Sequence, residues 1–263
     1  MFCYNWENTL QKGRNVKLTI IGSGAMAAAL AEGLADKYEL EFIARESQKL
    51  EALSQKHNAP YSLLGQIDIS GKNILLCVKP YALDAVSDQL QGKARTLYSI
   101  LAGTPISALT EKIKAEHTVR AMPNVAAAFG ASATALTGDE AVKEEALEIF
   151  DAIGKSLWLG SEKELDIATA IAGSGPAYLA LVAEAMMDGG VKQGLKRDDS
   201  IALVRALFSG FAPLLSEKHP ALIKDSVMSP GGTTAAGYGA LEEGKVRDGF
   251  IKAIEAAFKV TQK

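Results

Sequence analysis

One junction near the start of the chain constrains the fold more than any other. A short β-branched run, Lys17–Ile21 (KLTII), leads directly into Gly22–Ser23–Gly24–Ala25–Met26–Ala27, and an Ala/Leu-rich stretch then continues to Lys37. The first segment reads as a buried strand and the last as a helix of high propensity. The spacing G-x-G-x-x-A between them has a physical logic. Gly22 permits a tight turn, Gly24 lets the backbone approach a ligand, and Ala27 is small enough for the helix to pack on the strand. A helix opened in this way offers unpaired N–H groups and its positive dipole end to an anion, so the motif predicts binding of a dinucleotide pyrophosphate. The plainer reading is a strand–helix turn and nothing more.

The pattern continues as an alternation. Strands are expected over residues 40–44, 73–78 (NILLCV), 97–101 and 118–121, and helices over 47–56, 81–90 and 106–113. Such alternation predicts a parallel sheet covered on both faces. After Trp158–Leu159–Gly160 the strand signal disappears. Helices are expected over 165–172, 176–193, 197–216, 219–226, 233–243 and 246–261, with Gly189–Gly190 and Gly194 as a helix end or break. The expected organisation is a tail over residues 1–15, an α/β domain of Rossmann type (a doubly wound parallel sheet) over 16–160, and an all-helical domain over 161–263. Ala, Leu, Met and Phe crowd the long helices of that second half. This favours a buried subunit interface, since obligate interfaces resemble a domain core cut in two.

Composition removes several function classes. With 28 Lys and Arg against 31 Asp and Glu, the net charge of −3 offers no general attraction to nucleic acid. Cys3 and Cys77 are too few for a disulfide framework, and two cysteines with three histidines make no recognisable zinc site. The first fifteen residues lack the layout of a signal peptide. The longest apolar stretch, residues 171–187, is broken by Gly173, Gly175, Pro176 and Glu184, so no membrane span is expected. A cytoplasmic protein with a small-molecule substrate and no nucleic-acid or membrane partner is the expectation.

Further segments carry candidate chemistry. An NAD site usually has an acidic residue at the end of the second strand. Here Ala44 is followed by Arg45, which favours a 2′-phosphate and hence NADP, while Glu46 could repel that phosphate or take the ribose hydroxyl. Cys77–Val78–Lys79–Pro80 ends the third strand, where ligands of open α/β sheets lie. Lys79 could face cofactor or substrate, and Cys77 reads as a small buried apolar residue. Leu101–Ala102–Gly103–Thr104 could line a flat ring. Arg120–Ala121–Met122–Pro123–Asn124 places an amide at the mouth of the sheet and is also a common turn signal. Ser229–Pro230–Gly231–Gly232–Thr233–Thr234 opens a helix with two glycines and three hydroxyls. It reads either as a pocket for a small carboxylate or as an ordinary helix start. His57, His117 and His219 read as surface or structural.

Three segments, IAGSGPAY (171–178), EAMMDGGVKQGL (184–195) and SPGGTTAAGYGALEEG (229–244), resemble pyrroline-5-carboxylate reductases. GSGAMA, VKP, AGTPI and RAMPN follow that family's order, and the resemblance covers residues 16–261. It implies reduction of L-1-pyrroline-5-carboxylate to L-proline with NADPH or NADH, a Rossmann domain, and a helical dimerisation domain giving a homodimer or larger oligomer. Carried onto this chain, it implies that Ile21, Gly22, Ser23, Gly24, Ala25, Met26, Arg45, Cys77, Val78, Lys79, Pro80 and Ala102 hold the dinucleotide. Ser229, Gly232 and Thr233 would hold the substrate carboxylate, with the Thr234 hydroxyl facing the ring nitrogen as the catalytic contact. Two departures stand out. Ala25 replaces a frequent Asn or Gln, and Glu46 occupies a place where Ser or Thr is common. The rivals are a related imine reductase, a β-hydroxyacid dehydrogenase and a non-catalytic NADP-binding regulator. The absence of a lysine near Gly173–Pro176 counts against hydroxyacid chemistry.

Overall fold

In the computed structural model, which describes residues 16–262, the alternation becomes one eight-stranded sheet. The strands are β1 (Lys17–Ile21), β2 (Glu39–Ala44), β3 (Tyr61–Leu63), β5 (Asn73–Leu76), β7 (Ala94–Ser99), β8 (Ala115–Met122), β9 (Ser132–Gly138) and β10 (Gly154–Trp158). Two further short strands, β4 (Ile67–Asp68) and β6 (Leu90–Gln91), pair separately. The order across the large sheet is β10-β9-β8-β7-β5-β1-β2-β3. All its pairings are parallel except β8 with β9. β1 therefore sits at the point where the chain first builds to one side, with β2 and β3, and then to the other, with β5 and β7. That reversal creates a crevice at the carboxyl ends of the strands.

Both faces of the sheet are buried, which explains the near-continuous apolar strands. Leu18 and Ile20 of β1, Phe42 of β2 and Leu75 of β5 share one core with Leu30 and Leu34 of helix α1 (Ala25–Leu34) and with Leu50 of α2 (Ser47–His57). Ile21, Ile43, Ile74 and Leu76 point the other way. They meet Leu83 and Val86 of α3 (Leu83–Ser87) and Leu109 of α4 (Ile106–Lys112). One more helix, α5 (Lys143–Asp151), covers the sheet with Ala146, Ile149 and Phe150.

The helical half contains α6 (Glu162–Ala168), a π-helical turn over Thr169–Gly173, α7 (Gly175–Lys192), α8 (Arg197–Glu217), α9 (Pro220–Val227), α10 (Thr233–Glu243) and α11 (Val246–Thr261). The expected break at Gly189–Gly190 does not occur. α7 runs through it, and the missing side chain of Gly190 leaves room for Ser200, whose hydroxyl donates to the Met187 carbonyl at 2.8 Å. The chain turns only at Gly194 (φ 107°).

By compactness the chain falls into two units, the first running to Ser174. The first unit also takes back Ala257 onward, and the second is Gly175–Ala256. The reason is that α6 belongs to the sheet. Leu165 is fully buried with Met122 of β8 and Ala135 of β9, and Arg120 of β8 pairs with Glu162 and Asp166. The expected tail, residues 1–15, and Cys3 within it lie outside the described residues.

Two helical runs, Glu162–Lys192 and Arg197–Glu217, are long and apolar enough to cross a membrane by length and composition. Gly173, Gly175, Pro176 and Glu184 interrupt the first run, and Arg205, Gly210 and Pro213 the second, which is the feature on which the expectation of no membrane span rests. The exposed residues include Leu203, Leu207, Phe211 and Leu214, spaced three or four apart along one stripe of α8.

Candidate functional site: a dinucleotide cleft and an open helix start

The crevice beside β1 is a cleft of about 470 Å³. It is lined by Ile21, Gly22, Ser23, Gly24, Ala25 and Met26 from the first turn, by Arg45 after β2, by Cys77, Val78, Lys79 and Pro80 after β5, and by Ala102 after β7. Every residue that the sequence nominates for the dinucleotide thus borders one cavity. Four chain segments far apart in sequence converge because parallel strands deliver all their carboxyl ends to the same edge.

The turn is built for close approach. Gly22 has φ 129°, and a Cβ there would lie 2.4 Å from the Cys77 carbonyl oxygen, so no other residue fits. Its N–H donates to the Ile43 carbonyl at 2.8 Å, while the Cys77 N–H donates to Ile21 at 2.8 Å. Three strand ends are therefore locked together at the base of the cleft. Above them, α1 begins at Gly24 with no side-chain cap and no acidic residue in its first turn. Its first amides and dipole are left for an anionic ligand. Ala27 is fully buried, as a helix packed close on the strand requires.

The far end of the cleft carries charge. Arg45, Glu46 and Lys49 all border it, and Lys49 Nζ lies 2.8 Å from Glu46. The Glu46 carboxyl is held below the usual carboxylate range, chiefly by its hydrogen bond to Lys49. The carboxylate that threatened to repel a phosphate is thus answered by a lysine three residues on. Sequence reading missed Lys49, although an i,i+3 Glu–Lys pair at a helix start was a visible signal. Tyr81, 86% exposed and bordering the cleft, was missed as well. Cys77 is buried, and burial pushes its thiol well above the ordinary cysteine range, so it is no nucleophile.

None of the histidines lines the cleft. His57 stacks obliquely on Phe42 and its pKa is lowered by burial. His117 pairs with Asp139 at 2.5 Å, and His219 caps α9 by accepting from Ala221 N–H. Asn124 is also structural. Its side chain accepts from Ala126 N–H and donates to the Ala172 carbonyl, both at 3.0 Å.

The second nominated segment lies in the Gly175–Ala256 unit. Gly232 precedes α10, and its N–H donates to the Ser229 carbonyl at 3.0 Å. A Cβ on Gly232 would sit 2.5 Å from the Ser229 hydroxyl oxygen, so the bare backbone is what lets that hydroxyl and the amide converge. α10 has no side-chain cap and no acid in its first turn. Ser229, Thr233 and Thr234 are exposed. The arrangement is an uncapped helix start ringed by hydroxyls, and not the self-capped start that Ser and Thr usually make.

A doubly wound sheet with an open, uncapped cleft at its switch point defines the class of dinucleotide-binding folds. Residues 17–103 match the sequence model of a family described as NADP oxidoreductase, coenzyme F420-dependent. Residues 162–263 match that of the pyrroline-5-carboxylate reductase dimerisation family. The pyrroline-5-carboxylate reductase of Helicobacter pylori is 36% identical over 254 residues, covering 92% of this chain and 97% of the relative. That of Synechocystis is 37% identical over 270 residues, covering 94% and 98%. Among solved structures, the 1-pyrroline-5-carboxylate reductase of Streptococcus pyogenes superposes with a TM-score of 0.82 at 29% identity, covering 93% of this chain and 97% of that one. The Plasmodium falciparum pyrroline carboxylate reductase with NADP bound gives 0.80 at 30% identity, covering 94% and 98%. The chain belongs to the pyrroline-5-carboxylate reductase family.

Proposed function

We propose that this chain reduces L-1-pyrroline-5-carboxylate to L-proline, the last step of proline biosynthesis, with NADPH as donor and NADH as the alternative. The observation that carries the reading is the match to reductases of that name over more than nine-tenths of the chain. The residues present fit the nucleotide. The uncapped start of α1 would hold the pyrophosphate, Arg45 and Lys49 would hold the 2′-phosphate, and Val78, Lys79, Pro80 and Ala102, which border the same cleft, would flank the rest of the molecule. When bound, NADPH supplies the hydride that converts the imine carbon to the saturated carbon of proline.

The chain's own contribution is mainly placement. The Ser229 hydroxyl and the amides of Gly232 and Thr233 hold the substrate carboxylate at the dipole end of α10. The Thr234 hydroxyl faces the ring nitrogen and keeps a proton on it, which makes the imine the stronger electrophile. A protonated cyclic imine needs no separate strong acid, in keeping with histidines that are engaged elsewhere. The exposed apolar stripe of α8 lies within the region matching the dimerisation family, and we assign it to a homodimer or larger oligomer of this chain. The cytoplasm is the assigned compartment, with no nucleic-acid or membrane partner.

The test follows NADPH absorbance, and separately NADH, on adding freshly prepared pyrroline-5-carboxylate to the purified protein. Oxidation with proline as product is expected, faster with NADPH. A folded protein that binds NADPH yet oxidises neither cofactor overturns the assignment in favour of another cyclic imine or of a regulator.

A further inference from the structure

The loop after β7 is pinned from a distance. Leu101 and Ala102 border the cleft. Near its start the loop is tied by the Leu101 N–H, which donates to the Ser99 hydroxyl at 3.3 Å. At its end α4 starts after Pro105 with no side-chain cap from its own segment. The Ile106 N–H donates instead to Glu162 Oε1, a carboxylate 56 residues further along, at 2.8 Å. The same oxygen accepts from Arg120 Nη1 at 2.9 Å, and Arg120 Nη2 donates to Asp166 at 2.9 Å. Arg120 is 1% exposed, and its Nε has no partner among the described residues.

Buried ion pairs are poor devices for stability, because desolvation offsets most of their attraction. Their better-attested use is geometric. Glu162 and Asp166 stand four residues apart on one face of α6 and hold the two ends of one planar guanidinium. That plane fixes the Glu162 carboxylate, which in turn fixes the first amide of α4. The loop over residues 101–105 is thereby tied at both ends by groups that do not belong to it.

We propose that Glu162, held by Arg120, is a positioning residue for hydride transfer: it fixes the Leu101–Pro105 loop, whose Leu101 and Ala102 border the cleft and would flank the reacting ring of the nucleotide. This rests on the reductase reading given above. The nucleotide's phosphates would be held by other elements, the α1 start with Arg45 and Lys49. Releasing the loop therefore leaves binding largely intact and spoils the alignment of donor and acceptor, on which rate depends steeply.

The experiment compares Glu162→Ala, Glu162→Gln and wild type in the NADPH-dependent reaction, using NADPH and NADPH deuterated at the transferred position. Glu162→Ala is expected to lower kcat roughly ten- to a hundredfold with KM for NADPH changed less than about twofold, and to raise the kinetic isotope effect as hydride transfer becomes limiting. Glu162→Gln keeps an amide oxygen for Ile106 and is expected to recover most of kcat. A merely structural role would lower the melting temperature and the folded fraction without moving the isotope effect. The Glu162 side chain is 36% exposed, so the fold should tolerate the change; if Glu162→Ala fails to fold, Glu162→Asp, too short to reach both partners, carries the same test. A folded Glu162→Ala (or Glu162→Asp) with wild-type kcat and isotope effect overturns the proposal, as does a Glu162→Gln no better than Glu162→Ala. A wild-type protein inactive toward the imine overturns the reductase reading and this proposal together.

Discussion

The sheet-based unit and the Gly175–Ala256 unit solve the burial problem in opposite ways. In the first, strands and covering helices close two cores on the two faces of one sheet, and residues such as Leu18, Phe42, Leu75 and Phe150 are fully enclosed. In the second, only Ser200, Val204 and Ile223 are buried, while Leu179, Leu181, Leu203 and Leu222 are each more than half exposed. The helices of the second unit are no less apolar. They have the composition of a core without the enclosure of one, as a domain built to pack against another copy does. A protein can therefore place cofactor binding on a part that is complete alone and leave another part unfinished until it assembles.

The largest effect should come from breaking the second unit's dependence on a partner. Leu207→Glu with Leu214→Glu puts two charges on the exposed stripe of α8. Burying them should weaken association by at least about 3 kcal/mol, more than a hundredfold in Kd. Sedimentation should show the loss of the oligomer, while NADPH titration of the sheet-based unit stays near wild type. Oligomers that persist unchanged would mean that another face does the covering.

Gly22→Ala attacks the complete unit at its tightest point. The added methyl meets the Cys77 carbonyl at a φ that alanine avoids, at an expected cost of about 2–3 kcal/mol. Thermal unfolding and NADPH fluorescence titration should both register it, with little change in association. Thr234→Ala tests the other side. It should lower kcat by roughly tenfold while the NADPH dissociation constant is unchanged; wild-type turnover would remove Thr234 from the chemistry. The smallest effect concerns selectivity. Arg45→Ala should weaken NADPH relative to NADH by about fivefold, and Lys49→Ala by a similar or lesser factor, corresponding to about 1 kcal/mol for a solvent-exposed charge contact. An unchanged NADPH to NADH ratio in both variants would mean that neither cation reads the phosphate.

How much of this was legible in the sequence depended on whether a residue's role is local. β1, β2 and β5 are apolar because both faces are covered, so they stood out. β3 did not, since Tyr61, Ser62 and Leu63 are all exposed. That strand exists because its backbone pairs with Phe42–Ala44, a relation without a side-chain pattern. β9 (SATALTG) and β10 (GKSLW) were missed for a similar reason: small and mixed side chains near the sheet edge carry weak periodicity. The helix over 81–90 was expected too long, because its last residues leave α3 to pair as β6.

The candidate sites divide along the same line. The glycine turn, the Val78–Lys79–Pro80 strand end and the Ser229–Thr234 helix start announce themselves, because a tight turn or an open helix end demands particular residues at fixed spacing. Lys49 stands one helical step from Glu46, so its place at the cleft follows only once α2 is known to start there. Arg120, Glu162, Asp166 and Ile106 N–H could not be joined in advance. Arg120 lies 42 and 46 positions from its carboxylates, and a charged residue in a strand looks the same in sequence whether it meets water or two buried partners. Local chain chemistry was enough to specify the alternating fold, its glycine turn and the uncapped start of α10. The choice of which distant charges meet, and so which loop is held still, belongs to the packed sheet, because folding brings together side chains that no spacing connects.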